Sequence, residues 1–331
     1  MWAVQVREPG GLDQLLTVEL PDPIPGPGEV LVRAHVIGVG RPDVLIRKGV
    51  YKWMPPLPAI PGSELAGVVE ALGEGVTRWQ VGDRVLVSAR ELAQRAGCYA
   101  QAIAVPHEAP YRLPPSVSFE AAVSLPNVQL ALALMKVAGS KTRERPVVLI
   151  TGASGGVAGM LCQVAKHQGC LTIGTSRSAD KQAYARSQGF DHVVCTEGPS
   201  LKDALQPVIG TGGVDWVFDH LGGSTLVEAL KLLAPLGTLV SYNIVQGMPT
   251  EDVFGVLRQL LGRSLAVRCF SMHTFDADRA ERRGLMEAAI ELMSQGHIQA
   301  PPHEAYGLHE VKKTHALLEE GRVSGKLILR P

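Results

Sequence analysis

The chain is 331 residues long, 46% apolar and 19% charged, and its 32 basic side chains balance 32 acidic ones. That length suits two domains with buried cores. The even charge, with no Lys/Arg-rich run, argues against a nucleic-acid or anionic-membrane partner. No apolar run is read as reaching the roughly 18 residues of a membrane span. The start, MWAVQVREPGG, alternates like a strand and meets Arg7 and Glu8 early, unlike a secretory signal. Five scattered cysteines without a C-x-x-C pair point to a reduced, cytoplasmic protein and to no metal site.

In chain order, the first 120 or so residues read as short strands broken by turns. The turn-rich PDPIPGPG feeds EVLVRAHVIGVG, where Val30, Val32, Ala34 and Val36 alternate as in a half-buried strand. ELAGVVEAL and VLVSA follow as further strands, and such a series predicts a barrel-like β unit. Near residue 118 the texture changes. Ser118 is placed to cap FEAAVSLPNVQLALALMKVAG, whose apolar spacing is helical and which Pro126 should kink. From Val147 the pattern becomes strand, glycine turn, helix, strand, helix, strand, continuing through VDWVFDHL, a helix around Leu226 to Leu233, GTLVSY and SLAVRCF. Repeated βα units of this kind imply a parallel sheet. Two helices, MEAAIELMSQG and EVKKTHALLEEG, and the strand KLILRP close the chain.

The most informative stretch is TGASGGVAG, Thr151 to Gly159. It follows an apolar strand and opens a helix carrying Met160, Leu161, Val164 and Ala165. A dinucleotide pyrophosphate needs that arrangement: missing side chains let the backbone approach, and the helix start offers free N–H groups and partial positive charge. Ser154, Gly155, Gly156 and Val157 are therefore the expected phosphate cradle, with Ala158 in place of a last glycine. At the tip of the next strand an acid would select NAD, whereas a cation would accept the 2′-phosphate of NADP. Ser176, Arg177 and Ser178 stand there with Lys181 close behind, and Asp180 is read as a helix cap, so NADPH is the expected cofactor. Tyr242 and Asn243 lie at the carboxyl end of a strand, where open α/β sheets bind ligands. No Ser-His-Asp order and no G-x-S-x-G elbow suggests a hydrolase.

Taken together, PGPGEVLVRAHVIGV, IRKGVY, PGSELAGVVEALGEGV, VGDRV, CYAQAIAVP, GASGGV, FDHLGG and SGKLIL make the whole chain resemble the zinc-independent quinone oxidoreductases, the zeta-crystallin-like branch of the medium-chain dehydrogenase/reductase superfamily. The resemblance implies an α/β protein of two domains. One is a GroES-like β-rich catalytic domain from residues 1–123 and 270–331, and the other a Rossmann doubly wound parallel sheet from 124–269 that holds the cofactor. It also implies a homodimer, through an edge strand near Ser264 to Phe270. Zinc-dependent relatives carry Cys and His where this chain reads VGRPDVL and PGSEL, so zinc is not expected and Glu64 is read as structural. Quinone oxidoreductases usually have Asn and Tyr in the loop matching Gly40 to Arg47, where this chain has Gly40 and Leu45. Tyr51 resembles the tyrosine of 2-enoyl thioester reductases and is the expected catalytic residue, beside Leu45 and Trp53 in the substrate pocket. Asn127, Tyr242 and Asn243 are expected at the nicotinamide end of the cofactor. The implied activity is NADPH-dependent hydride transfer to a quinone or an α,β-unsaturated carbonyl. A 2-enoyl thioester reductase, or a catalytically weak NADPH-binding protein, are the competing readings.

Overall fold

The computed structural model describes residues 1–140 and 143–331. They form two compact units, Met1–Pro126 with Gln299–Pro331, and Asn127–Ile298. The first boundary lies close to the expected 123/124. The second does not fall at 269/270, because residues 270–298 belong with the central unit. Their helix is tied to it there: the Gln129 side chain donates to the Arg282 carbonyl at 2.8 Å, and Lys136 pairs with Glu281 at 2.5 Å.

In the terminal unit, β1 (Trp2–Gln5) and β2 (Leu16–Glu19) pair as a small antiparallel ribbon. The main sheet is built from β3 (Glu29–Val39), β4 (Glu64–Leu72), β5 (Arg84–Ser88), β6 (Ala102–Pro106) and β7 (Tyr111–Arg112). Between β3 and β4 lies the short helix α1 (Arg41–Arg47). Strand β3 bulges at Leu31/Val32 and Ala34/Val36, so its simple alternation breaks and Val30, Leu31 and Val32 are all buried. Along one edge β3 pairs with β4, and along part of the other with β6.

The expected helix from Ser118 forms in two pieces, α2 (Phe119–Ala122) and α3 (Leu125–Ala138). Ser118 caps the first by accepting from Ala121 N at 3.1 Å. The break comes at Val123–Ser124, which puts Pro126 in the first turn of α3, where its missing N–H costs nothing. The stretch Phe119–Ala138 is long and apolar enough to cross a membrane, contrary to the reading of apolar runs above. Of its most apolar window, 61% is buried inside the structure.

The central unit then alternates strand and helix: β8 (Val147–Ile150), α4 (Gly156–His167), β9 (Leu171–Ser176), α5 (Ala179–Ser187), β10 (His192–Cys195) and α6 (Leu201–Ile209). It continues with β11 (Val214–Asp219), α7 (Gly223–Lys231), β12 (Leu233–Ser241), α8 (Val253–Gln259), β13 (Ala266–Cys269) and α9 (Arg279–Ser294). Helix α7 stops at Lys231, so Leu233, expected in the helix, begins β12 instead. All six strands are parallel, in the order β10-β9-β8-β11-β12-β13. That is the doubly wound order, and its direction reverses between β8 and β11. Leu149, Ile173, Val217 and Leu239 fill the core between this sheet and the inward faces of α6 and α7. The chain returns to the terminal unit with β14 (His303–Gly307), α10 (Val311–Glu319) and β15 (Lys326–Arg330), the last antiparallel to β3.

Candidate cofactor site and a buried polar cluster

Ligands of open α/β sheets bind outside the carboxyl ends of the strands, where the strand order reverses. In the central unit that point is bounded by Thr151 and Gly152 after β8, and by Asp219 and His220 at the end of β11. Gly152 has φ +62°, a left-handed conformation suited to glycine. A Cβ there would come within 2.8 Å of His220 Nε2 and closer still to Cε1. The turn is pinned to β9: Gly152 N donates to Thr175 Oγ1 at 3.0 Å and Ala153 N to the Thr175 carbonyl at 2.8 Å. Gly174 makes room for it, since a Cβ at that position would collide with Ala153. Gly155 then stands at the N-cap of α4 with no side chain capping the helix. The first-turn N–H groups of a twelve-residue helix are thus left for a ligand. Ser154, Gly155, Gly156 and Val157 are half-buried along this rim, and Ala158 packs inward without disturbing it.

The tip of β9 supplies the second part. Ser176 is buried, yet its hydroxyl has no hydrogen-bond partner among the described residues. Arg177 and Lys181 are exposed just beyond it. Ser178, rather than Asp180, is the N-cap of α5 and accepts from Lys181 N at 3.4 Å, while Asp180 sits in the helix's first turn. No carboxylate ends β9. An orphaned buried hydroxyl, two cations and a bare helix start fit a phosphorylated adenosine ribose and a diphosphate.

The third part lies at the end of β11, where a strand-end acid is expected to serve a turn or a cap. Asp219 is fully buried and accepts from the Thr151 hydroxyl at 2.7 Å, from Gly222 N at 2.9 Å and from Leu221 N at 3.3 Å. Burial holds its carboxyl above the ordinary value despite those donors. The acid thereby shapes both turns that flank the reversal point. His220 follows it, half-buried, with its ring 5.7 Å from that of Tyr242 and Nδ1 3.4 Å from the Tyr242 hydroxyl. Tyr242 N in turn donates to the Asp219 carbonyl at 2.9 Å. The structure therefore brings Tyr242 to the β11 turn. Asn243 is exposed next to it and accepts from Ile244 N at 2.9 Å, and Asn127 lies half-buried in the first turn of α3. A lone histidine in FDHLGG carries no pattern by which sequence reasoning could find it.

In the terminal unit, Leu45, Tyr51 and Trp53 are each half-buried. The Tyr51 and Trp53 rings meet edge-to-face at 5.8 Å, and Val50 N closes the segment on the Leu45 carbonyl at 3.0 Å. Leu45 thus lies in α1, and Tyr51 and Trp53 lie in the segment just after it. Beside α1 is a cluster that composition and motif did not reveal. Asp43 is fully buried and accepts from Gly40 N at 2.8 Å, from the Ser63 hydroxyl at 2.6 Å and from the Tyr99 hydroxyl at 3.1 Å. Tyr99 also meets Nε2 of the buried His315 at 3.1 Å. Burial is the main force lifting the Asp43 carboxyl to about 6. Glu64 on β4 pairs with Lys326 on β15, the two strands that flank β3, so its carboxylate is already engaged. Among the described residues, no three His, Cys, Asp or Glu side chains are grouped to hold a metal ion.

Similarity to known proteins agrees with this architecture. The alcohol dehydrogenase GroES-like domain family matches residues 26–115, and the family described as zinc-binding dehydrogenase matches residues 156–293. Human quinone oxidoreductase is 30% identical over 99% of this chain and 97% of its own length. The human synaptic vesicle membrane protein VAT-1 homolog is 29% identical over 97% of this chain and 84% of its own length. The crystal structure of Escherichia coli quinone oxidoreductase complexed with NADPH superposes with a TM-score of 0.86, at 29% identity and full coverage of both chains. At this identity and coverage, the chain belongs to the quinone oxidoreductase branch of the medium-chain dehydrogenase/reductase superfamily.

Proposed function

We propose that the protein is an NADPH-dependent oxidoreductase that reduces a quinone or the C=C of an α,β-unsaturated carbonyl, without zinc. The observation that carries the cofactor is the tip of β9, where the buried Ser176 hydroxyl lacks a partner among the described residues and Arg177 and Lys181 follow in place of an acid. The solved Escherichia coli relative, complexed with NADPH, supports the same reading. Bound NADPH supplies the hydride; the organic chemistry is the cofactor's own. The chain's part is to hold it, by the α4 amides at the diphosphate and by Ser176, Arg177 and Lys181 at the adenosine ribose. The donor set argues against zinc: Asp43 is saturated by three donors and Glu64 is paired with Lys326.

Tyr51 is assigned to the substrate. Its hydroxyl donates to the carbonyl oxygen of the acceptor, or delivers the proton to the carbon next to it after hydride addition. Leu45 on α1 and Trp53 just after it supply apolar surface beside Tyr51. Two chains pair through the outer edge of β13, which has no neighbouring strand among the described residues. Phe270, expected on that edge, is buried and contributes to the fold instead.

The test is NADPH consumption with a panel of quinones, 2-alkenals and 2-enoyl thioesters, for wild type and Tyr51→Phe. Enoyl turnover that falls about 100-fold in the variant assigns the proton or hydrogen-bond donor to Tyr51. Turnover indifferent to the change returns Tyr51 to packing. NADPH binding with no turnover of any acceptor would overturn the enzymatic reading in favour of a catalytically weak NADPH-binding protein.

A further inference from the structure

His220 lies where nothing in the fold requires a histidine. Its ring covers Gly152 so closely that only glycine fits beneath it, and the position Cβ would take on Gly155 is 3.8 Å from its Cε1. The imidazole therefore spans the floor of the glycine turn, at the point where the strand order reverses. Its polar atoms are unequally used. The backbone N donates to Thr151 Oγ1 at 3.3 Å and Nδ1 meets the Tyr242 hydroxyl at 3.4 Å, whereas Nε2 has no partner among the described residues. The carboxyl of Asp219, the nearest acid, is taken up by Thr151, Leu221 and Gly222.

These contacts bear on the charge and the tautomer of the ring. Burial pushes the imidazole below its ordinary value, against the pull of Asp219, so the ring is neutral and carries one proton. Of the two tautomers this contact admits, the one in which the Tyr242 phenol donates to Nδ1 puts the proton on Nε2. A neutral ring with an unused N–H is thereby held against the turn that would cradle a diphosphate.

We propose that His220 is a cofactor-binding residue, its Nε2–H donating to a diphosphate or nicotinamide-ribose oxygen of the bound dinucleotide, with Tyr242 fixing the tautomer. The inference rests on the cofactor reading given under the proposed function. It adds a side-chain donor just after β11 to the backbone donors of α4. Such a donor acts on the central part of the dinucleotide and leaves the adenosine end untouched.

The experiment is a binding titration of the intact protein with two probes, NADPH and adenosine 2′,5′-bisphosphate, the second lacking the diphosphate bridge and the nicotinamide ribose. His220→Ala is expected to weaken NADPH about tenfold, the loss of one hydrogen bond to a charged acceptor, and to leave the bisphosphate unchanged. His220→Gln, whose amide restores a donor, should recover most of the loss. Equal NADPH affinity in wild type and His220→Ala would overturn the proposal. So would a parallel loss of both probes in both variants, which would mean that the ring only packs the turn. Failure of wild type to bind NADPH at all would instead overturn the cofactor reading, and this inference with it.

Discussion

Each unit buries one acid completely, and the two are held in different ways. Asp219 in the central unit accepts from two backbone N–H groups of the turn it begins, and from the Thr151 hydroxyl at the neighbouring strand end. Asp43 in the terminal unit accepts from one backbone N–H and two side chains, Ser63 and Tyr99, which come from other segments; behind Tyr99 lies His315 on α10. An acid bonded to the backbone of adjacent turns sets loop shape at the ligand end of a sheet. An acid bonded to side chains from distant segments ties elements together. Removing the first should damage binding and folding together, and removing the second should damage folding alone.

The largest effect that would test this contrast is expected at Asp219. Asp219→Ala leaves the Thr151 hydroxyl and two turn N–H groups without their acceptor, a loss of about 3 kcal/mol or more. Denaturant unfolding should show the destabilisation, and titration should show weakened NADPH binding in the fraction that folds. Unchanged NADPH affinity would break the comparison at its first term. Next, Arg177→Asp should shift the NADPH-to-NADH affinity ratio toward NADH by about tenfold, since an acid repels the 2′-phosphate and accepts from a free 2′-hydroxyl. A ratio that does not move would take Arg177 out of the cofactor site.

Smaller still is the effect at the second acid. Tyr99→Phe deletes the hydroxyl between Asp43 and His315, at a cost of about 1–2 kcal/mol measured by denaturant unfolding, with NADPH affinity unchanged. A fall in affinity would show that the two units do not divide the roles as described. The pH dependence sharpens the same point. The carboxyl of Asp43 is raised from 3.8 to about 6, first by burial, so the fold prefers its protonated form. Its favourable contribution is complete below 3.8 and lost as pH rises through about 6. Wild type should therefore lose stability relative to Asp43→Asn across that window, with a slope of at most ~1.4 kcal/mol per pH unit. A difference that stays flat with pH would place the Asp43 titration outside it.

Much of the central unit was legible because its chemistry is local. A strand, TGASGGVAG and an amphipathic helix are contiguous, and a parallel sheet follows from repeated βα units. The missing acid after β9 could likewise be read directly at Ser176 and Arg177. The helix after Ser118 was legible as a helix but not as two, because the break depends on how Val123 and Ser124 end the first turn. Residues 270–298 fall in the central unit rather than the terminal one for a related reason. Their helical period is plain, but the partner of a helix face is set by contacts such as Gln129 to Arg282, 153 positions apart.

By itself the amino-acid sequence determined the order of strands and helices, the glycine turn and the chemical character of the β9 tip, since these depend on neighbours along the chain. Only the tertiary structure decided that His220 covers Gly152, that Ser176 is left without a partner, and that Asp43, Tyr99 and His315 meet. Tyr99 lies 56 positions from Asp43 and 216 from His315, and only packing can close such distances. A buried polar group is defined by what surrounds it, and those surroundings come from segments whose sequence pattern carries no reference to one another.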